Sequence, residues 1–155
     1  MYEADEALVD HRIPTLGICF GHQIINAALG GTVKRRSLTA GLVRADLDII
    51  PLFDDVEPVV PALHADHVTE RSDCMERIGS THHCHNFATR HRSAPVWTVQ
   101  YHPELTEAIA TERVVSEFGW ETGEFSHEES TATRTLSNFR RLAGRSASPD
   151  AVSAQ

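Results

Sequence analysis

The chain has 155 residues, of which 41% are hydrophobic and 23% charged, so it can form one domain with its own core, and wholesale disorder is excluded. Its 14 basic and 22 acidic side chains give a formal net charge of -8 at pH 7. This acidic balance argues against a nucleic-acid-binding or membrane-surface protein, because both bind through a basic face.

The N-terminal part of the chain predicts the strand-helix alternation that is typical of an α/β domain. Residues 1–11 predict a short polar helix or arm and do not have the pattern of a signal peptide. The apolar run at residues 13–19 predicts a buried strand, and residues 21–29 predict a helix that ends at two glycines. No apolar run is long enough for a membrane span, and the three cysteines are too scattered for a disulfide framework, so we expect a cytoplasmic protein.

The middle of the chain predicts a series of strands. Apolar and alternating runs indicate them at residues 32–34, 41–50, 63–69, 75–80, 86–90 and 96–100. Between the second and third of these runs, residues 51–61 contain three prolines and an acidic patch, which predicts a surface loop.

The C-terminal part predicts two helices and a tail. Residues 105–118 have helical periodicity with Ile109 and Phe118 on the apolar stripe, and residues 130–142 predict a second helix. We therefore expect one domain over residues 1–145 and a disordered polar tail over residues 146–155. The predicted fold class is α/β, with a three-layer, mostly parallel sheet flanked by helices.

The segment from Gly17 to Gln23 has the pattern G-x-C-x-G at the junction of a predicted strand and helix. This is the pattern of a nucleophile elbow with cysteine in place of serine. We expect Gly17 and Gly21 to flank a tight turn in which added side chains would clash, and Cys19 to adopt a strained backbone conformation. The turn would leave its sulfur at a helix N-terminus, which favours a thiolate. A buried structural cysteine beside a helix-starting glycine remains the alternative.

A second motif, His102-Pro103-Glu104, follows the last predicted strand. A thiol nucleophile needs an imidazole to move its proton, and the imidazole needs an acceptor that holds its tautomer. One rigid loop supplies both groups here. Alternatively, His102 is a strand-end histidine and Glu104 begins the next helix, where an acidic residue is favourable.

The two motifs each follow a predicted strand, which is where open α/β sheets place their sites. Together with the segment from His64 to Val68, they resemble class I, triad-type glutamine amidotransferases, the group that contains the glutaminase part of GMP synthase. The resemblance extends from Ile13 to Leu105. It implies that Cys19 attacks the side-chain amide of glutamine.

The resemblance also implies the roles of the remaining site residues. His102 would transfer protons and Glu104 would orient it, while the backbone N–H of Phe20 would form half of an oxyanion hole. Gly17, Phe20 and Gln23 would bind the substrate. The products would be glutamate and ammonia, with no cofactor or metal, and the ammonia would pass to a synthetase subunit or domain that faces the segment 64–68.

Cys19 has only 18 residues before it. The family normally carries further strands there and a Gly-rich loop with the second oxyanion donor, so we expect a sheet that lacks those N-terminal strands. Two other functions stay open beside glutamine hydrolysis. One is a catalytically impaired, amidotransferase-like interaction or regulatory protein, which the missing loop favours. The other is a hydrolase of another γ-glutamyl compound, which would use the same triad.

The segment from His82 to His85 contains three histidines and a cysteine. Neighbouring side chains on a strand face opposite ways, so the four cannot bind one ion together. His82 with Cys84, or His83 with His85, could supply half of a metal site together with His64 or His67. An exposed polar loop is the favoured interpretation, and no metal site is predicted.

Overall fold

Six strands and several helices make up residues 2–146, the part of the chain that the computed structural model describes. The strands are β1 (Thr15–Ile18), β2 (Thr32–Leu47), β3 (Val59–Glu70), β4 (Met75–Thr81), β5 (Ala88–His91) and β6 (Val96–Val99). The α-helices are α1 (Tyr2–Asp10), α2 (Phe20–Ala28), α3 (Glu107–Ile109), α4 (Val115–Phe118) and α5 (Arg134–Ser146).

The strands form one sheet in the order β1-β6-β5-β4-β2-β3. Among the described strands, β1 and β6 pair in parallel and the four other pairings are antiparallel. The sheet is therefore mixed, whereas the sequence predicted a mostly parallel one. Short connections explain the difference, because a turn such as 92–95 between β5 and β6 can only join antiparallel neighbours.

Helices cover both faces of the sheet, as predicted for a three-layer α/β domain. On β6, Val96 packs in the same cluster as Ile25 of α2. The next residue, Trp97, faces the opposite side and packs edge-on against Phe139 of α5, with ring centroids 6.1 Å apart. This alternation follows from the pleat of a strand, and it places α2 and α5 on opposite faces.

Two predicted boundaries in the middle of the chain are wrong. The strands predicted at 32–34 and 41–50 are one continuous strand, β2, whose pairing with β3 is irregular between Arg35 and Thr39. The predicted surface loop at 51–61 contains a 3-10 turn with Leu52 and Phe53 buried, and its last residues already belong to β3. Prolines indicated a loop there, but the apolar residues between them pack into the core.

The C-terminal helices also differ from the sequence prediction. The helix expected at 105–118 is divided into α3, a π-helical turn and α4, and its expected stripe residues Ile109 and Phe118 are each 45% exposed. The last helix begins at Arg134 rather than 130. The predicted tail, 146–155, lies outside the described residues beyond Ser146, and the domain boundary at 145 stays a prediction.

Within residues 2–146, no helix combines the length and the apolar character that crossing a bilayer requires.

Candidate active site

Cys19 occupies a strained turn between β1 and α2. Its backbone has φ 52° and ψ -100°, a positive φ that costs a non-glycine residue about 1–3 kcal/mol. The turn is held from both sides, because the N–H of Cys19 donates to the carbonyl of Val99 at 2.8 Å and the N–H of Gln23 donates to the carbonyl of Cys19 at 3.2 Å. The predicted strain at this position is therefore present, and the thiol lies at the start of α2.

The two glycines that flank the turn have different surroundings. A Cβ atom on Gly17 would lie 2.8 Å from Cδ1 of Ile25 and 2.9 Å from the carbonyl group of Gly21. Only glycine lets α2 approach β1 this closely. A Cβ atom on Gly21 would meet nothing within 4 Å, so the prediction of a clash at Gly21 is wrong.

The thiol of Cys19 and the imidazole of His102 converge on one carbonyl oxygen, that of Leu63 in β3. Sγ of Cys19 lies 3.6 Å from this oxygen and Nε2 of His102 lies 3.3 Å from it. The loop after β6 carries His102, whose backbone N–H donates to the carbonyl of Pro61 at 2.9 Å. The structure thus brings together, from three strands, the two groups that the sequence paired.

Glu104 engages the other ring nitrogen of His102. Oε1 of Glu104 lies 2.6 Å from Nδ1 of His102, so the ring N–H donates to the carboxylate. Burial lowers the pKa of His102, but the neighbouring Cys19 thiol and the Glu104 carboxylate outweigh it and raise this pKa to about 10. For Glu104, burial raises the pKa of the carboxyl group. The hydrogen bond and the charge of His102 outweigh burial and hold this pKa below its usual range. The pair therefore favours an imidazolium whose Nε2–H faces the Leu63 carbonyl.

Gln100 is a candidate site residue that sequence analysis did not select. It is fully buried, and its Nε2 donates to Sγ of Cys19 at 3.5 Å. The signal was available in the sequence, because a polar residue directly follows the apolar strand β6 and precedes His102 by two positions.

Phe20 and Gln23 lie on the first turn of α2. The side chain of Phe20 is 65% exposed, and its N–H is among the first N–H groups of the helix, which have no intrahelical partner. Gln23 is only 7% exposed, and its Nε2 donates to the carbonyl of Asp66 at 2.9 Å and to Oε1 of Gln100 at 3.3 Å. Substrate binding by Gly17, Phe20 and Gln23 stays a prediction.

The histidine-rich segment does not form a uniformly exposed loop. His82 and His85 are exposed as expected, and His85 contacts Arg77. His83 instead turns inward, and one ring nitrogen from each of His64, His67 and His83 lies within 4.8 Å of the others. His83 therefore approaches His64 and His67 without His85, which the sequence had proposed as its companion.

Comparison with known proteins identifies the family. The sequence model described as "Glutamine amidotransferase class-I" matches residues 1–122. The chain is 33% identical over 117 residues to a GMP synthase [glutamine-hydrolyzing] subunit of Methanococcus vannielii, covering 71% of this chain and 60% of that protein. It is 29% identical, over an alignment of 163 positions including gaps, to GMP synthase [glutamine-hydrolyzing] of Aquifex aeolicus. That alignment covers 96% of this chain and 32% of that protein.

Solved structures support the same fold. A glutamine amidotransferase from Thermotoga maritima superposes with a TM-score of 0.66 at 19% identity, over 92% of this chain and 63% of that one. A glutamine amidotransferase from Methylobacillus flagellatus gives a TM-score of 0.64 at 20% identity, over 92% of this chain and 64% of that one. The chain thus spans about 60% of the length of the separate GMP synthase subunits that it matches. The chain belongs to the class I glutamine amidotransferase family.

Proposed function

We propose that this chain hydrolyses the side-chain amide of glutamine through a triad of Cys19, His102 and Glu104. The observation that carries the proposal is the convergence of the Cys19 thiol and His102 Nε2 on the Leu63 carbonyl, with Glu104 bound to Nδ1 of the same ring. This is the arrangement of nucleophile, proton carrier and orienting carboxylate that acyl transfer requires. Membership of the amidotransferase family supports glutamine as the substrate.

In the first half of the reaction, Sγ of Cys19 attacks the Cδ carbon of glutamine as a thiolate. The carbonyl oxygen becomes an oxyanion, and the tetrahedral adduct collapses when Nε2 of His102 gives its proton to the departing nitrogen. Ammonia leaves, and a γ-glutamyl thioester remains on Cys19. The Glu104 carboxylate stabilises the imidazolium that supplies this proton.

In the second half, neutral His102 accepts a proton from water at Nε2. The hydroxyl oxygen attacks the thioester carbon and displaces Sγ, which releases glutamate. Cys19 and His102 return to their starting protonation states, so the cycle consumes glutamine and water and yields glutamate and ammonia.

In this proposal, the backbone N–H of Phe20 at the N-terminus of α2 stabilises the oxyanion. Removal of one oxyanion donor costs about 10²–10³ in kcat in enzymes of this type. The family resemblance implies a second donor from a Gly-rich loop, which would stabilise the same oxyanion.

Ammonia transfer to a synthetase partner is part of the proposal. The relative from Methanococcus vannielii is named as a subunit of a glutamine-hydrolysing GMP synthase, which is consistent with a glutaminase that works beside a separate synthetase. The segment from His64 to Val68 lies on β3 next to Leu63, and we expect this side of the site to face the partner.

A glutaminase assay tests the proposal. Purified chain is incubated with glutamine, and glutamate release is compared between wild type and Cys19→Ala, with Cys74→Ala as the matched control, because Cys74 has no role in the proposal. Wild type and the control are expected to release glutamate and Cys19→Ala is not. Equal activity of all three proteins would overturn the triad.

The same assay separates the two other functions. Faster hydrolysis of a γ-glutamyl peptide than of glutamine would assign the chain to γ-glutamyl hydrolases. Inactivity of wild type both alone and with the synthetase subunit of a GMP synthase, together with binding of that subunit, would assign it to non-catalytic interaction proteins.

A further inference from the structure

Three imidazoles converge beside the proposed active site without a role in the glutaminase reaction. His64 and His67 lie on β3, and His83 lies in the loop between β4 and β5. One ring nitrogen from each lies within 4.8 Å of the other two. In sequence the first two are separated by 16 or more residues from the third, so the fold itself assembles the cluster.

The rings of His64 and His83 are oriented by hydrogen bonds at their Nδ1 atoms. Nδ1 of His64 donates to the carbonyl of Asp66 at 3.0 Å, and Nδ1 of His83 lies 2.8 Å from the hydroxyl of Thr81. Both Nε2 atoms therefore face the cluster and lie 3.0 Å apart. Histidines that bind metals are held in this way, with the second nitrogen on a carbonyl or another polar group.

His67 also carries a buried ring nitrogen that has no partner among the described residues. Its side chain is 8% exposed, and Nε2 is buried with no hydrogen-bond partner in the part of the chain that the structure describes. The hydrogen bond between His64 and His83 gives those two nitrogens a partner and leaves Nε2 of His67 without one. An unpartnered nitrogen in a buried position is unfavourable, so a bound ligand that accepts its lone pair is favoured.

We propose that His64, His67 and His83 bind one divalent transition-metal ion of the Zn²⁺ class. Two nitrogens on a tetrahedral Zn²⁺ lie about 3.4 Å apart, so the His64–His83 pair already has nearly the required separation. No two of the three nitrogens are more than 4.8 Å apart, so binding requires the more distant pairs to close by at most about 1.4 Å. A fourth position stays open for water or an exogenous ligand.

The protonation states support the site. Burial is the main cause that lowers the pKa of His64 and of His83 to about 4, and burial also lowers the pKa of His67. The three rings are therefore neutral at pH 7, which is the form that binds metal.

The bound ion would join β3 to the loop between β4 and β5. It would also adjoin the proposed active site, because the carbonyl of Asp66 accepts from both Nδ1 of His64 and Nε2 of Gln23. Metal binding is independent of the proposed hydrolysis of glutamine, since none of the three ligands takes part in that reaction.

The test is a titration of the metal-free 155-residue chain with ZnCl₂ by calorimetry, and with CoCl₂ by visible spectroscopy. We expect one equivalent of Zn²⁺ to bind and the visible bands of four-coordinate Co²⁺ to appear. His67→Ala and His83→Ala should each weaken Zn²⁺ binding about tenfold or more. The matched control is His82→Ala, because His82 is exposed and adjacent to His83. It should bind as wild type does.

Two further measurements keep the test decisive. Circular dichroism in the presence of a chelator establishes that each variant is folded, so weak binding cannot be attributed to unfolding. Cys19→Ala should bind Zn²⁺ as wild type does, because the thiol is outside the site. Loss of binding in Cys19→Ala with retention in His67→Ala and His83→Ala would overturn the proposal, as would no stoichiometric binding by wild type.

Discussion

The side-chain amide of Gln100 donates from Nε2 to Sγ of Cys19 at 3.5 Å. Its orientation is fixed by the other end of the amide, because Oε1 accepts a hydrogen bond from Nε2 of Gln23 at 3.3 Å. Gln23 in turn donates to the carbonyl of Asp66 at 2.9 Å. A buried chain of amides thus runs from β3 to the thiol, and it aims an N–H group at the sulfur.

The first prediction concerns Gln100. Gln100→Met keeps the size of the side chain but removes the donor to Cys19, so the thiolate loses a hydrogen bond of about 1.5 kcal/mol. We expect kcat for glutamine hydrolysis to fall about tenfold with KM nearly unchanged, because the amide acts on the nucleophile rather than the substrate. Steady-state kinetics check this. A change in KM alone would contradict the assigned role.

The second prediction concerns Glu104. In Glu104→Gln the carboxylate that stabilises the imidazolium is lost, so the pKa of His102 should fall from about 10. Activity should drop about a hundredfold or more, since the amide also permits the wrong tautomer. NMR titration of the His102 ring measures the pKa directly. Glu107→Gln, an exposed carboxylate on α3, is the control and should change neither quantity.

The third prediction concerns stability in acid. His22 is fully buried between Oγ1 of Thr98 at 2.6 Å and the carbonyl of Asn86 at 2.9 Å, and burial lowers its pKa from 6.5 to about 3. As the pH falls, His22 is therefore protonated in the unfolded chain before it is protonated in the folded protein. The neutral ring contributes stability that is present above pH 6.5 and is lost as the pH falls toward 3.

Replacement by a residue that does not titrate tests this dependence. His22→Gln should lower the free energy of unfolding by about 1–2 kcal/mol at pH 7, because glutamine reproduces the hydrogen bonds of His22 imperfectly. Between pH 7 and pH 4, the variant should lose less stability than wild type does. Urea unfolding at both pH values measures the difference. An equal loss in wild type and variant would rule out His22 as a cause of acid sensitivity.

The fourth prediction compares the two glycines of the elbow. Gly17→Ala places a Cβ atom 2.8 Å from Ile25 and should destabilise the fold by about 1–3 kcal/mol through displacement of α2. Gly21→Ala meets nothing within 4 Å and should leave the free energy of unfolding nearly unchanged. Denaturant unfolding of the two variants checks the contrast, and equal destabilisation would contradict it.

The elements around the site were predictable because local signals and the fold agree there. The apolar run before Cys19 became β1, the next residues became α2, and the strained turn lies between them. His102 and Glu104 are two residues apart with Pro103 restricting the backbone between them. Their contact could therefore be predicted from the local sequence.

Other features depend on contacts between distant residues, which a single sequence does not reveal. The shared Leu63 carbonyl comes from β3, and the inward turn of His83 depends on Thr81 and His64. Asn138 of α5 is also buried, because its amide donates to the carbonyls of Leu52 and Asp54. Both acceptors precede Asn138 by more than 80 residues, so nothing near it in the sequence indicates that it is buried.

The central claim is that Cys19 is the nucleophile toward a glutamine side chain, and covalent labelling tests it most directly. The 155-residue chain is treated with an electrophilic glutamine analogue, and the modified residue is located by peptide mass spectrometry. The account predicts one label, on Cys19, that excess glutamine prevents and that Cys19→Ala abolishes. Labelling of Cys74 instead, or labelling of Cys19 that glutamine does not reduce, would contradict the account.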